Sequence, residues 1–174
     1  MPVMKIKNLF AFLALSFAVF AAYADTKVVW ENSKDDHSVK IKKSGTVLEI
    51  ETTGADPYAI FRPTVAGKPS DEVLEFEYMS ADGINNLVVA PGLPFKPDYS
   101  IELGPLPKSD AWVKKSFNLT AISDGAWLKQ PRKLLRIDFG AGGNKSLKIK
   151  NIILRPLTKE EAAAKPVATN AGGK

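Results

Sequence analysis

The 174-residue chain contains no cysteine. A disulfide framework, a zinc–thiolate site, an iron–sulfur cluster and a cysteine nucleophile are therefore excluded. Histidine is almost as scarce, with His37 alone. That excludes a multi-histidine metal centre built from this chain and leaves a Ser-His-Asp triad one possible base. His37 follows Asp35 and Asp36 in a polar turn, the setting of a solvated surface residue. A basic cluster is also missing: 24 Lys and Arg stand against 19 Asp and Glu, and the two signs are interspersed. No nucleic-acid partner is expected from such a pattern. After residue 24 no ten-residue stretch repeats apolar residues at the helical period of about 3.6, so the body of the chain is not helical.

What is present divides at residue 24. Lys5 and Lys7 precede an apolar run over residues 9–20, broken only by Ser16, and Ala22-Tyr23-Ala24 follows. A short positive stretch, a hydrophobic run and small residues where a signal peptidase reads make the three parts of a secretory signal peptide. Cleavage is expected before Asp25, with residues 1–24 as the leader. The run is short for a membrane span, which needs about 20 residues, so no stable span is expected after cleavage. No cysteine follows it, so it is not a lipoprotein signal. Removing two lysines and no acids leaves 150 residues with 22 cations against 19 acids, a net charge of +3. A periplasmic or secreted bacterial protein is the expectation. A domain of that length buries roughly 68–70% of its unfolded surface and needs no covalent staple.

In the mature part the period is two. Apolar and polar residues alternate over residues 47–51, 73–78, 99–103 and 135–139, and a last apolar-rich series runs from 147 to 154. This is the signature of strands with one face on a core and the other in water. Gly, Pro, Asp and Asn punctuate the runs at 43–45, 53–57, 66–69, 81–83 and 141–144. About ten short strands spaced in this way predict an all-β fold, a single antiparallel β-sandwich over residues 25–157. Pro91, Pro94, Pro97, Pro105 and Pro107 predict loops or a sheet edge around residues 99–103, because proline cannot donate to a strand ladder. Residues 119–125 can form one helical turn. Thr158 followed by Glu161 predicts a capping box opening a short helix, and residues 158–174 are read as that segment plus a flexible tail.

Two stretches carry a family resemblance. Trp112-Val113-Lys114-Lys115-Ser116-Phe117-Asn118-Leu119 is similar to a strand of jelly-roll modules of the galactose-binding-like or carbohydrate-binding type. Leu135-Arg136-Ile137-Asp138-Phe139-Gly140, with Asn151-Ile152-Ile153-Leu154 further on, resembles the final strand pair of such modules. The resemblance spans residues 27–156. It implies a sandwich of jelly-roll type, like the modules attached to secreted bacterial glycoside hydrolases. It also implies polysaccharide or oligosaccharide binding, and an accessory role beside an exported enzyme. Modules of this kind often hold a structural calcium ion. Glu31, Asp35, Asp36 and Asp138 are the acids available for one near the chain ends of the sandwich, and no D-x-D-x-D-G loop sharpens that assignment. No other cofactor is implied.

A saccharide site needs an aromatic platform plus charged or amide groups for hydroxyls. The candidates on the wet strand faces are Tyr58, Arg62, Glu75, Glu77, Glu102, Arg136 and Asp138. The candidates near Pro- and Gly-rich loops are Tyr99 and Trp127. Trp30, Trp112 and Tyr78 read as core. Glu75 and Glu77 are about 7 Å apart on one strand face, which overlaps glycosidase spacing. Any alternating acidic strand makes such a pair, however, and the chain is read as noncatalytic. The alternative function is a structural or protein-interaction sandwich accessory to an exported enzyme or envelope complex.

Overall fold

The computed structural model describes residues 25–65, 72–92, 95–129 and 134–163. The leader and the tail from residue 164, both predicted above, lie outside the described residues, as do the predicted turn at 66–69 and Pro94. Among the described residues there are ten strands: β1 (Thr26–Trp30), β2 (Val39–Ser44), β3 (Val47–Thr52), β4 (Tyr58–Pro63), β5 (Glu72–Ser80), β6 (Ile84–Pro91), β7 (Ile101–Leu106), β8 (Ser109–Asn118), β9 (Leu135–Asp138) and β10 (Ser146–Pro156). Two one-turn helices, α1 (Leu119–Ile122) and α2 (Lys159–Ala163), complete the assignment with two 3-10 turns.

All pairings are antiparallel and they form two sheets. The first runs β2-β3-β10-β5-β8 and the second runs β1-β4-β9-β6-β7. β1 belongs to both. Thr26 and Lys27 pair with Leu154 and Ile153 of the first sheet, and Val28 to Trp30 pair with Pro63 to Phe61 of the second. The strand that changes sheet closes one corner of the sandwich.

Alternation decides which side chains enter. Leu48, Ile50, Leu74, Phe76, Tyr78, Leu147 and Ile149 come from the first sheet, and Ala59, Phe61, Val89, Ile101, Leu135 and Ile137 from the second. Each is at most 6% exposed. The Tyr78 hydroxyl donates to the Pro107 carbonyl at 3.0 Å, which satisfies the one polar atom that this ring carries inward.

Most local signals act as the sequence predicts, but Pro91, expected in a loop or at a sheet edge, instead ends β6, an inner strand of the second sheet, where it pairs with Leu135. Asn118 caps α1, its side-chain oxygen accepting from the Ala121 amide at 3.0 Å. Thr158 and Glu161 make the reciprocal capping box: the Thr158 amide donates to the Glu161 carboxylate at 2.9 Å, and the Glu161 amide to the Thr158 hydroxyl at 3.2 Å. Pro105 lies in β7, which among the described residues pairs with β6 alone and forms the second sheet's edge. One strand boundary shifts. Residues 97–99 form a 3-10 turn with Pro97 at its start, so Tyr99 precedes the strand.

Candidate functional site

The nine candidate residues separate onto opposite sides of the sandwich and into its interior. On the outer face of the second sheet, register places Tyr58 opposite Asp138, Asp138 opposite Val88, and Val88 opposite Glu102. Four strands thus carry one row about 14 Å long, at about 4.8 Å per strand gap. Arg136 lies two residues back on β9, on the same face. Its Nε donates to Asp138 Oδ1 at 2.6 Å and its Nη2 to Asp138 Oδ2 at 3.0 Å, a two-point fork. Nη2 also reaches Asp56 Oδ1 at 3.2 Å. The guanidinium carbon stands 3.6 Å from the centroid of the Tyr58 ring, a cation–π contact.

On the other side of β4, His37 makes a two-hydrogen-bond bridge with the Tyr58 backbone, each bond 2.9 Å. Its imidazole stacks on the phenol with centroids 5.4 Å apart and planes 19° apart. Asp36, one residue earlier, accepts from the Trp30 indole N–H and from the Ile60 amide, both at 2.8 Å. Those bonds brace the loop before β2, in which Asn32 and Ser38 adopt positive φ. Arg62 continues the face, paired with Glu31 at 2.9 Å and half exposed. A cleft of about 240 Å³ opens between Arg62, Glu31, Ile60 and Leu134.

Burial of this cluster has electrostatic consequences. Loss of solvent pushes the Asp138 carboxyl above its usual range, against the pull of Arg136. For Arg136 burial acts downward, but the fork to Asp138 and the charge of Asp56 outweigh it and hold the guanidinium above its ordinary value. The result is a positioned cation with two carboxylates and a phenol, partly shielded from water. Such a group can donate and accept hydrogen bonds to vicinal hydroxyls without reorganising first.

Glu75 and Glu77 point away from this cluster, on the outer face of the first sheet. Glu75 receives Lys114 at 2.6 Å, Arg155 at 3.1 Å and the Ser116 hydroxyl at 3.1 Å. Burial would raise its pKa, and these three donors overcome that and lower it. Glu77 is also lowered, first by the Asn151 amide at 2.7 Å and then by Lys150 at 3.3 Å, with burial opposing. Both shifts run opposite to the raised value that a glycosidase acid carries, and both carboxylates are engaged in ion pairs.

Trp127 requires a correction. It is fully buried, at 0% exposure, and its indole N–H donates to Glu72 at 3.1 Å. The Ser123-Asp124-Gly125 turn, with Asp124 and Gly125 at positive φ, folds the chain back and drives the ring into the core rather than out at the rim. It offers no surface to a ligand. Tyr99 is half-buried in its 3-10 turn with Lys96 Nζ 5.7 Å from its ring, apart from the sheet-face row. Trp112 reverses the other way. The sequence predicts it in the core, but it lies next to Val113 on the outer face of β8, half-buried, with Lys150 Nζ 4.0 Å from its ring. Trp30 is half-buried and packs against the core. The four acids considered for calcium do not converge. Glu31 serves Arg62, Asp36 serves Trp30 and Ile60, Asp138 serves Arg136, and among the described residues no group of three acidic or histidine side chains is placed to hold a metal.

His37 and Asp56 also belong to the cluster: His37 is exposed, as its polar turn predicts, yet stacks on Tyr58, and Asp56, which the sequence places only in the 53–57 turn, reaches Arg136. The available signal was the acid–Pro–Tyr order at 56–58, which puts Asp56 at the mouth of the Tyr58 strand. Nothing local announces that residue 37 bridges to residue 58.

Neither a protein-family profile nor a characterised protein sequence matches the chain. Solved structures do. A family 29 carbohydrate-binding module from Piromyces equi superposes with a TM-score of 0.53 at 12% identity, over 74% of this chain and 88% of that one. A point mutant of a second family 29 module, complexed with cellulohexaose, gives 0.53 at 13% identity over 78% and 94%. Further mutants of that module, solved to probe the mechanism of ligand recognition, replace a tyrosine, and an arginine and an aspartate two positions apart. At these identities the likeness establishes the architecture: the chain has the β-sandwich fold of carbohydrate-binding modules.

Proposed function

We propose that the protein is a noncatalytic carbohydrate-binding module of an exported bacterial protein. It binds an oligosaccharide or polysaccharide across the outer face of the second sheet through Tyr58, Arg136 and Asp138, with Arg62 and Glu102 extending the surface. One observation carries the reading. The forked Arg136–Asp138 pair, two residues apart on one strand and packed on Tyr58, combines the same three residue types as three of the family 29 recognition mutants, in a series that also replaces two lysines. A sugar hydroxyl pair can take the place of water around such a fork, and the residues are already positioned for it. Export is supported by the positive stretch, apolar run and Ala22-Tyr23-Ala24 of the N-terminus, and intact-mass measurement of the protein recovered from periplasm tests cleavage before Asp25.

Affinity electrophoresis through gels containing β-glucans, mannans and pectins tests the function. Retardation by at least one polysaccharide, abolished by Arg136→Ala, is the expected result. No retardation on the whole panel refutes the reading and favours the protein-interaction alternative, which pull-down with an exported enzyme then addresses.

A further inference from the structure

A larger groove, of about 560 Å³, lies elsewhere on the molecule. It forms where β1 leaves the first sheet. β3 pairs with β10 only as far as Ile149, and β1 begins to pair only at Ile153. Between them, no described strand pairs with Lys150, Asn151 or Ile152 on that edge. β10 also bulges here against β5, its register shifting between Lys150 and Ile153. Asn151 sits in the bulge at φ 53°, an αL conformation that non-glycine residues seldom adopt. Strained bulges of this kind often re-aim side chains at functional surfaces. Here the bulge aims the Asn151 amide at Glu77.

The lining is mostly apolar, with Val28, Trp30, Leu48 and Ile152 among its walls, and its charged members are unequal in number. Lys27, Lys43, Lys114 and Lys150 stand against Glu75 and Glu77. Both carboxylates are already consumed, Glu75 by Lys114 and Arg155, Glu77 by Lys150 and Asn151. Lys27 and Lys43 have no ion-pair partner among the described residues and are both exposed. The volume suits a small-molecule or oligosaccharide segment, since such sites run from about 300 to 1,000 Å³. We propose that this groove is a second ligand site, on a different side of the sandwich from the Tyr58 cluster. It takes the carboxylate-bearing residue of an acidic oligosaccharide: the anion sits against Lys27 and Lys43, and the ring sits on the apolar wall beside Asn151. The charge excess, the apolar floor and the open β10 edge each match part of that ligand. A neutral glycan would leave the two lysines unused.

The test is an NMR titration of the purified protein with trigalacturonate and, separately, with cellotriose. Expected are shifts of the Lys150, Asn151 and Ile152 amides with trigalacturonate alone, weakening as salt is raised. The Lys27→Glu/Lys43→Glu variant should lose about tenfold or more in affinity. It should keep the wild-type unfolding midpoint, because neither lysine is buried or paired. Arg136→Ala should leave these shifts untouched, so failure here and failure of the Tyr58 site are separable. The proposal is overturned if trigalacturonate at millimolar concentration moves no groove resonance, or if cellotriose moves them equally. It is also overturned if the double charge reversal does not weaken binding, or if only short duplex DNA or anionic vesicles occupy the groove.

Discussion

Replacing Trp127 with phenylalanine separates a structural tryptophan from a ligand platform. The indole is fully buried and its N–H meets the carboxylate of Glu72, itself 2% exposed, at 3.1 Å. Phenylalanine removes the donor and part of the ring. A hydrogen bond to a charged group contributes about 1.5–3 kcal/mol. Glu72 keeps a further interaction, so the charge is not stranded and the lower half of that range applies. The smaller ring adds a cavity contribution, and the total expected loss is about 2–3 kcal/mol. In a domain of about 150 residues this lowers the melting temperature by roughly 4–12 °C. Urea denaturation followed by far-UV circular dichroism measures the first quantity, and a thermal scan the second. Retardation on the best polysaccharide gel should not change. Trp127→Ala, at about 3–5 kcal/mol, should consume much of the 5–15 kcal/mol typical of a domain. A Trp127→Phe variant within about 0.5 kcal/mol of wild type, the range of ordinary surface substitutions, refutes the packing argument. So does loss of glycan retardation at an unchanged unfolding midpoint.

Asp138→Asn keeps the shape of the fork but removes its charge, and should weaken glycan retardation by about tenfold, equivalent to about 1.4 kcal/mol, while a wild-type gel shift would place the ligand elsewhere. Gly140→Ala should destabilise by about 1 kcal/mol or more in urea, because φ there is 75° and the new methyl would collide with the Asn85 side chain; an unchanged midpoint would show that the β9–β10 turn is free to move. Glu161 is held at about 2, chiefly by the two-point bond from Arg155 at 2.7 and 2.8 Å and then by the Thr158 amide. Its folded-state value is depressed, so the stabilisation is complete above its ordinary value of 4.5 and disappears as pH falls towards 2. With 34% of the side chain exposed, solvent screening reduces the effect to about 1 kcal/mol, and Glu161→Gln should remove that increment at pH 7 but not at pH 2.

Local rules governed most of the fold. Two-residue alternation specifies which side chains of a strand enter the core once one side is buried, and the inward set Leu74, Phe76 and Tyr78 follows from that alone. Capping at Thr158 and Glu161 involves atoms three residues apart, and the edge placement of Pro105 follows from its missing N–H. Those features needed no knowledge of partners. The site was legible in composition but not in grouping. Tyr58, Arg136 and Asp138 stood out as polar residues on wet strand faces, and so did Glu75 and Glu77. Alternation cannot say which of two sheets a strand joins, and here they join different ones.

The tryptophans show the limit most clearly. Trp127 follows a glycine turn and reads as a rim residue, but its ring is buried and its indole N–H meets Glu72 of β5, 55 positions earlier. Trp112 reads as an inward strand residue, but register with Tyr78 through Val113 puts it on the outer face. The all-β class, the strand periods, the helix caps and the exclusion of thiol and multi-histidine chemistry were all readable along the chain. All of these depend on residue type and on spacing along the chain. Only the tertiary structure decided that His37 and Arg136 flank Tyr58, that Glu75 and Glu77 face away from them, and that a groove opens where β1 changes sheets. Each of those depends on pairings between residues tens of positions apart, whose energies lie in contacts that no local pattern encodes.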